Sequence, residues 1–564
     1  MRAFAELYRR LDAATSTRRK IDALKAYLQS ALATPERHAE AAWIVYFLAG
    51  GKPKQMIPTR LLRRLALEGT GLPEWLVEES YQNVGDLAET LTLLLPPSAA
   101  PEDVPLEVWM NERLPGLRKL DEEARYAQLG AYVRELSDDD RLAFFKLTTG
   151  ALRIGVAKGQ VVQALAEATG LDGPLIAQRL MGYTGADRAV GASDFAALVS
   201  TTDAAPAADD GRPYPFFLAH ALNLPFELLP EKMGPPEGWI AEWKFDGIRA
   251  QFLKRGAGWR LWSRGEELIS DSFPDLAVLT TVLPDRVALD GEIVVAKGAE
   301  DVEGIEAFAL LQQRLNRKTL TAKHIAELPV AFIAYDLLEE DGVDLRALPQ
   351  HERRARLERI VADARSRGPS PLRLSPRLQA PDWPGLVARR AEARVIGAEG
   401  LMLKGVDAPY GVGRKRSGPG EHDLWWKWKV EPFAVDAVLV YAQRGHGRRS
   451  GVYSDYTFAV WSGPLEDSSR ALVPFAKAYS GLTDEEMREV DAIIRRTTVE
   501  SFGPVRSVKP TLVFELGFEG IALSKRHKSG VATRFPRMLR WRKDKPVEEA
   551  DTLAELQALL PATA

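Results

Sequence analysis

The stretch Ala241-Glu242-Trp243-Lys244-Phe245-Asp246-Gly247-Ile248-Arg249 constrains the fold of this chain more than any other. In a β-strand successive side chains alternate faces. Glu242, Lys244 and Asp246 then point one way, and Trp243 and Phe245 the other. Two carboxylates flank an amine on one face, with an aromatic backing. Gly247 ends the run and, lacking a Cβ, would let the backbone approach a ligand. The plainer alternative is an edge strand with solvated charges, and the nonapeptide alone leaves both open.

A chain of 564 residues exceeds one core, so roughly three or four domains are expected. Its composition, 46% hydrophobic and 27% charged, is that of a folded protein, and a net charge of −3 leaves nucleic-acid binding to local basic patches. Cysteine is absent, which excludes disulfides, thiol chemistry and Cys-ligated zinc. Arg2, Glu6, Arg9 and Arg10 interrupt any signal-peptide core, and the early apolar run Ala41–Ala49 is far short of the roughly 20 residues of a spanning helix. A soluble, cytoplasmic monomer with no membrane partner is expected.

Residues 1–205 read as an all-α domain. Phe4, Leu7 and Leu11, then Ile21, Leu24 and Leu28, recur at helical spacing, and Thr15-Ser16-Thr17 between them is a natural stop and N-cap. Within Phe144–Gly159, small residues with spaced Lys and Arg could present backbone N–H groups to phosphates, or could simply be a packing turn between helices. Residues 201–212 are a small-residue linker.

From 213 to 430 strands and helices alternate. Trp259–Glu267 reads as a strand and turn carrying Arg264, either a phosphate or ribose contact or a solvated turn arginine. Val287–Val295 is a buried-strand pattern holding Asp290 and Glu292, costly unless these acids are paired or bind a cation or hydroxyl. In Ala331–Leu338, Tyr335 is a core aromatic or a platform for a base. Residues 351–367 read as an Arg/Glu-rich, solvated cover helix with Leu357, Ile360 and Val361 inward. Glu399 precedes another apolar strand, and a basic run, Arg414-Lys415-Arg416, follows Tyr410. In Trp425-Trp426-Lys427-Trp428-Lys429 the alternation puts Lys427 and Lys429 on one face. Two adjacent like charges repel and want an anion between them.

Residues 431–564 turn to short strands with basic loops, which suits an OB-type β-barrel. Between 525 and 545 nine Lys or Arg stand against the single acid Asp544, which reads as a polyanion contact.

Together these elements resemble, in order, the motifs of the ATP-dependent DNA ligases. Lys244-Phe245-Asp246-Gly247 with Arg249 is similar to the nucleophile motif, and Ser263-Arg264-Gly265 to the arginine element on the ribose and phosphate side. Asp290-Gly291-Glu292, Tyr335, Glu399-Gly400, the pair Lys427 and Lys429, and Arg542-Lys543-Asp544-Lys545 resemble the remaining ones. The front stretch Leu152-Arg153-Ile154-Gly155 resembles an element of the helical DNA-binding domain of the larger forms.

The resemblance implies a multidomain chain: the all-α DNA-binding domain, an α+β, ATP-grasp-like nucleotidyltransferase domain at 213–430, and the OB-fold domain. It also implies Lys244 as catalytic nucleophile and Glu242 as reader of the adenine amino group. Arg249, Arg264, Tyr335, Lys427, Lys429, Arg542 and Lys545 become nucleotide contacts, with Arg414 or Arg416 filling the remaining arginine position. Glu292 and Glu399 would hold Mg²⁺ or the ribose. ATP is the implied donor and nicked duplex DNA the implied partner, since the NAD-dependent ligases carry a Cys-ligated zinc module and this chain has no cysteine.

Overall fold

The computed structural model describes residues 1–51, 57–98, 101–150, 152, 155–184, 189–201, 211–298, 301–306, 308–315, 317, 320–414, 424–445 and 451–560. Arg153 and Ile154, linker residues 202–210, Lys415 and Arg416, and loop residues 446–450 lie outside them. Two compact units form. One holds Met1–Lys54, Asp103–Gly116 and Leu152–Val430; the other holds Gln55–Glu102, Leu117–Ala151 and Glu431–Ala564.

The front region is helical from Arg2–Ala13 to Ala192–Val199. Phe4, Leu7 and Leu11 are buried along one stripe of the first helix, and Ile21, Leu24 and Leu28 along the second, Thr17–Leu32. Ser16 caps that second helix, its hydroxyl accepting from the Arg19 amide at 3.3 Å. Among the described residues no helix is long and apolar enough to cross a membrane.

Two sheets build the middle of the chain. The first, here the lysine sheet, runs in the order His220–Ala221, Trp425–Lys429, Ala398–Gly405, Trp239–Phe245, Arg377–Leu378. The second, the acid sheet, runs Gly258–Ser263, Ile248–Arg255, Val287–Val295, Val330–Glu340, Val343–Asp344, with Leu372–Leu374 parallel to the fourth strand. Trp243, Phe245, Leu401, Leu403, Trp426 and Trp428 form one buried face of the lysine sheet. Helix Trp383–Glu392 covers it, with the Trp383 ring 6.1 Å from Trp428. Each buried aromatic there is worth about 2–3 kcal/mol, so this face is anchored and the lysine face is left for polar work.

Helix Gln350–Ser366 covers the acid sheet through Leu357, Ile360, Val361 and Ala364. It is not only a solvated cover. Arg353 and Arg354, in its first turns, are 0% and 2% exposed and reach Asp336 and Glu242. Their charge is buried because each meets a buried carboxylate, an arrangement that hydrophobic periodicity does not signal.

In the C-terminal region the long strand Phe433–Arg444 pairs with Tyr453–Trp461 along one edge. On the other it pairs with Val513–Phe518 over its first half and Val505–Val508 over its second. Leu472–Ala478, Thr498–Phe502 and Arg537–Trp541 extend this seven-stranded sheet around a core of Tyr456, Phe458, Phe514 and Leu516.

Candidate active site

On the lysine sheet the register aligns Met402 with both Glu242 and Lys427, and Lys404 with Ile240 and Trp425. Glu242, Lys244, Met402, Lys404, Trp425, Lys427 and Lys429 therefore share one face. The acid sheet turns Arg249, Glu292 and Tyr335 toward it, and the two faces touch. Lys404 Nζ donates to the Tyr335 carbonyl at 3.0 Å, and the Tyr335 ring lies 6.3 Å from that of Trp425.

Glu399 reaches the lysine face through a bulge. The register slips between Ala398 and Leu401, and Gly400 sits there at φ +140°, where a Cβ would fall 2.2 Å from the Trp428 carbonyl oxygen. Only glycine fits. Glu399 then pairs with Lys244, and Lys429 Nζ lies 3.2 Å from the same carboxylate oxygen. Burial would raise the Glu399 carboxyl, but the two lysines outweigh it and hold it below the usual range.

Lys427 has no ion-pair partner among the described residues. Burial, then the repulsion of Lys429, Arg414, Lys244 and Arg264, depresses its pKa. Arg264 is exposed on a turn whose amide donates to the Arg249 carbonyl at 3.0 Å, and Glu266 in that turn adopts φ +62° and pairs with Lys158. Arg414 follows Gly413, which exchanges backbone hydrogen bonds with Phe216 and Leu218 at 2.9 and 2.8 Å. Five cations thus face one spot, held by elements from four parts of the chain. That spot suits a polyanion.

Arg249 is tied into the scaffold. Its guanidinium donates to both Asp290 oxygens at 3.1 and 2.7 Å and to the Phe217 carbonyl at 2.6 Å, while Tyr410 donates to Asp290 at 2.6 Å. Asp290 is wholly buried and so paired, whereas Glu292, one bulge along, is half-buried. Burial pushes the Glu292 carboxyl up to about 8, against the pull of Lys244 and Arg249 and with the push of Asp290 and Glu399. Tyr335 is half-buried in the middle of a strand of buried neighbours, with Lys404 Nζ 4.4 Å and the Arg249 guanidinium 5.9 Å from its ring centroid. Among the described residues no group of three or more His, Asp or Glu is placed to hold a metal ion.

Sequence comparison gives this geometry its setting. Residues 217–429 match the ATP dependent DNA ligase domain, residues 1–166 the DNA ligase N terminus, and residues 449–545 the ATP dependent DNA ligase C terminal region. A probable DNA ligase of Koribacter versatilis is 32% identical over 99% of this chain and 96% of its own length. The chain belongs to the ATP-dependent DNA ligase family. A DNA ligase of Methanoculleus marisnigri is 32% identical over 73% of this chain and 69% of its own. The solved structure Pmar-Lig_Pre, 15% identical, shares the fold with a TM-score of 0.59 over 96% of this chain and 99% of that one. This ligase is therefore an enzyme of ATP and DNA, built as helical front, nucleotidyltransferase sheets and OB-type barrel.

Of the residues singled out in the sequence, Lys244, Glu242, Arg249, Arg264, Glu292, Tyr335, Glu399, Arg414, Lys427 and Lys429 all fall in the first unit. Arg542 and Lys545 belong to the second, where both donate to Asp436 at 2.7 and 2.8 Å. Sequence reasoning missed Met402 on the lysine face, Tyr410 behind Arg249, and the two cations on Glu242. Strand alternation from Glu399 could have found Met402 only if the bulge were known. The close approach at Gly247 also differs from expectation. A Cβ there would lie 2.3 Å from the Ile293 carbonyl oxygen, so the crowding comes from the neighbouring strand of the protein itself.

Proposed function

We propose that this ligase seals nicks in duplex DNA through a lysyl-AMP intermediate on Lys244. The observation that carries the proposal is the set of cations around Lys427, which has no carboxylate of its own among the described residues. Lys244, as the neutral amine, attacks the α-phosphorus of ATP. The P–O bond to the β-phosphate breaks, pyrophosphate leaves with the bonding pair, and the nitrogen gives up a proton to solvent. An oxygen of the 5′-phosphate at the nick attacks the same phosphorus, and the P–N bond breaks, the lysine nitrogen taking the bonding pair and a proton from solvent. The 3′-hydroxyl oxygen then attacks the 5′-phosphorus, loses its proton, and AMP departs. Such transfers need positioning and charge neutralisation above all.

In this scheme Lys427 and Lys429 brace the α-phosphate, Arg264 and Arg414 meet phosphate and ribose, Tyr335 stacks on adenine, and Glu242 accepts from its amino group. Arg249 holds the acid strand in place beneath the nucleotide. Arg542 and Lys545 are the residues proposed to meet pyrophosphate. Glu292 and Glu399 would hold Mg²⁺, which takes one or two carboxylates plus substrate phosphates. A carboxyl raised as far as that of Glu292 gains from a cation beside it. When bound, that ion would neutralise charge on the transferring phosphates.

Incubation with α-labelled ATP, with GTP and NAD in parallel, tests the intermediate. The chain should take label from ATP alone, alkali-stable and acid-labile, and Lys244→Ala should take none. A chase with nicked duplex DNA should then release it. Label retained in Lys244→Ala would sink the assignment.

A further inference from the structure

Given the proposed contact between Glu242 and adenine, the buried Arg354 of the cover helix bears on how the donor base is chosen. Glu242 is only 1% exposed, yet it lies among charges of the opposite sign. Arg354 Nη1 lies 2.5 Å from Oε1, and Lys404 Nζ lies 2.5 Å from Oε2. The other nitrogens of Arg354 are committed as well, Nη2 to the Ser375 carbonyl at 2.7 Å and Nε to Glu358 at 2.7 Å. The guanidinium is thus anchored from three sides, on a helix whose next turns are packed into the core of the acid sheet.

We infer that Arg354 is a positioning residue that sets the base selectivity of the nucleotide donor, by fixing the plane of the Glu242 carboxylate. A carboxylate offers about four lone-pair sites. Arg354 and Lys404 take one on each oxygen, which leaves acceptor capacity on both. A planar guanidinium fixes direction as well as charge, which an ammonium does not. An acceptor held in that way favours a base presenting an amino group over one presenting a carbonyl or a hydrogen there. A carboxylate free to swing loses this preference, because it relaxes onto its own cations. Lys404 does not supply the direction. Its ammonium, held by Glu242, the Tyr335 carbonyl and the Tyr335 and Trp425 rings at 4.4 and 4.6 Å, supplies a point charge without a planar fork.

The test compares self-labelling of the full chain by ATP with that by purine-riboside triphosphate, which lacks the amino group, as a ratio of kcat/KM values. A site built around a substrate N–H rejects the analogue lacking it by large factors. General damage to the fold would slow both donors alike and leave the ratio unmoved. Arg354→Lys keeps the charge but not the fork; Arg354→Met removes both. The ratio should fall about tenfold or more in each folded variant, through a raised KM for ATP with the analogue little changed. Glu242→Gln should collapse it in the same way.

If Arg354→Lys melts cooperatively and keeps the wild-type ratio while Glu242→Gln loses it, Arg354 is structural only. The inference then fails and the adenine contact stands. If Glu242→Gln also keeps the ratio, both fail. Should Arg354→Met not fold, because it strands the buried Glu242, Arg354→Lys decides alone.

Discussion

Two cation clusters in this ligase are built on opposite terms. In the nucleotidyltransferase sheets, Lys244 and Lys429 share one carboxylate, Glu399, and Lys427 beside them has none among the described residues. In the barrel, Arg542 is bound to Asp436 and Asp544, and Lys545 to Asp436 and Asp551, with hydrogen bonds of 2.7–3.4 Å. The first cluster is left with excess positive charge, a repulsion that an anionic ligand would relieve. The second is neutralised by its own acids, so in this structure it serves stability. Charge that is poised for a ligand and charge that is spent on the fold look alike in a sequence. They differ in whether a carboxylate stands within reach.

The largest consequence falls on Lys427. Lys427→Ala should slow formation of the labelled adenylate by about 10²–10³-fold, the range found when one donor to a developing charge is removed. Because the lysine repels its neighbours, the melting temperature should stay level or rise. A rate near wild type, read in single turnover with α-labelled ATP, would place the anion elsewhere.

Asp436→Asn tests the opposite cluster. Its Oδ2 receives Arg542 and Lys545, and its Oδ1 is buried. Loss of that charge leaves two cations short of a partner and should cost about 1–3 kcal/mol in urea unfolding. A loss below ~0.5 kcal/mol, within the range of ordinary surface substitutions, would mean that the barrel cluster is not spent on the fold.

The same contrast explains what the sequence could disclose. Strand alternation around Lys244 and through Trp425–Lys429 was legible, because period-two patterning survives in any strand with one buried aromatic face. The burial of Asp290 could be anticipated as needing a partner, and Arg249 is that partner. The covering role of helix Gln350–Ser366 was legible from Leu357, Ile360 and Val361, but the part played by Arg353 and Arg354 was not. Its Arg and Glu content is that of a solvated surface, and only the tertiary approach of Asp336 and Glu242 makes two of its arginines core residues. The Gly400 bulge was hidden for a similar reason. A glycine after an acid carries no mark of the register slip that turns Glu399 toward Lys244.

The smallest expected effect is a difference in pH dependence between the two clusters. Glu292 has a pKa near 8 in the native state against an ordinary 4.5. Between those values the native chain keeps a proton that the unfolded chain has lost, so stability falls as pH rises through this window. Glu292→Gln removes that term. In metal-free buffer, the variant should gain on wild type steadily from about pH 4.5 to 8, by a few degrees at most in melting temperature, and then hold level. Mg²⁺ added at pH 8 should narrow the gap, by stabilising only the protein that retains the carboxylate. In the barrel the sign reverses. The hydrogen bonds from Arg542 hold Asp544 down to about 2, so what it contributes is present above its ordinary 3.8 and is lost only as pH falls below that. An Asp544→Asn variant should therefore show no drift against wild type between pH 5 and 8. If both variants drift alike across that range, the two clusters are not electrostatic opposites, and the excess charge assigned to the nucleotide site has another source.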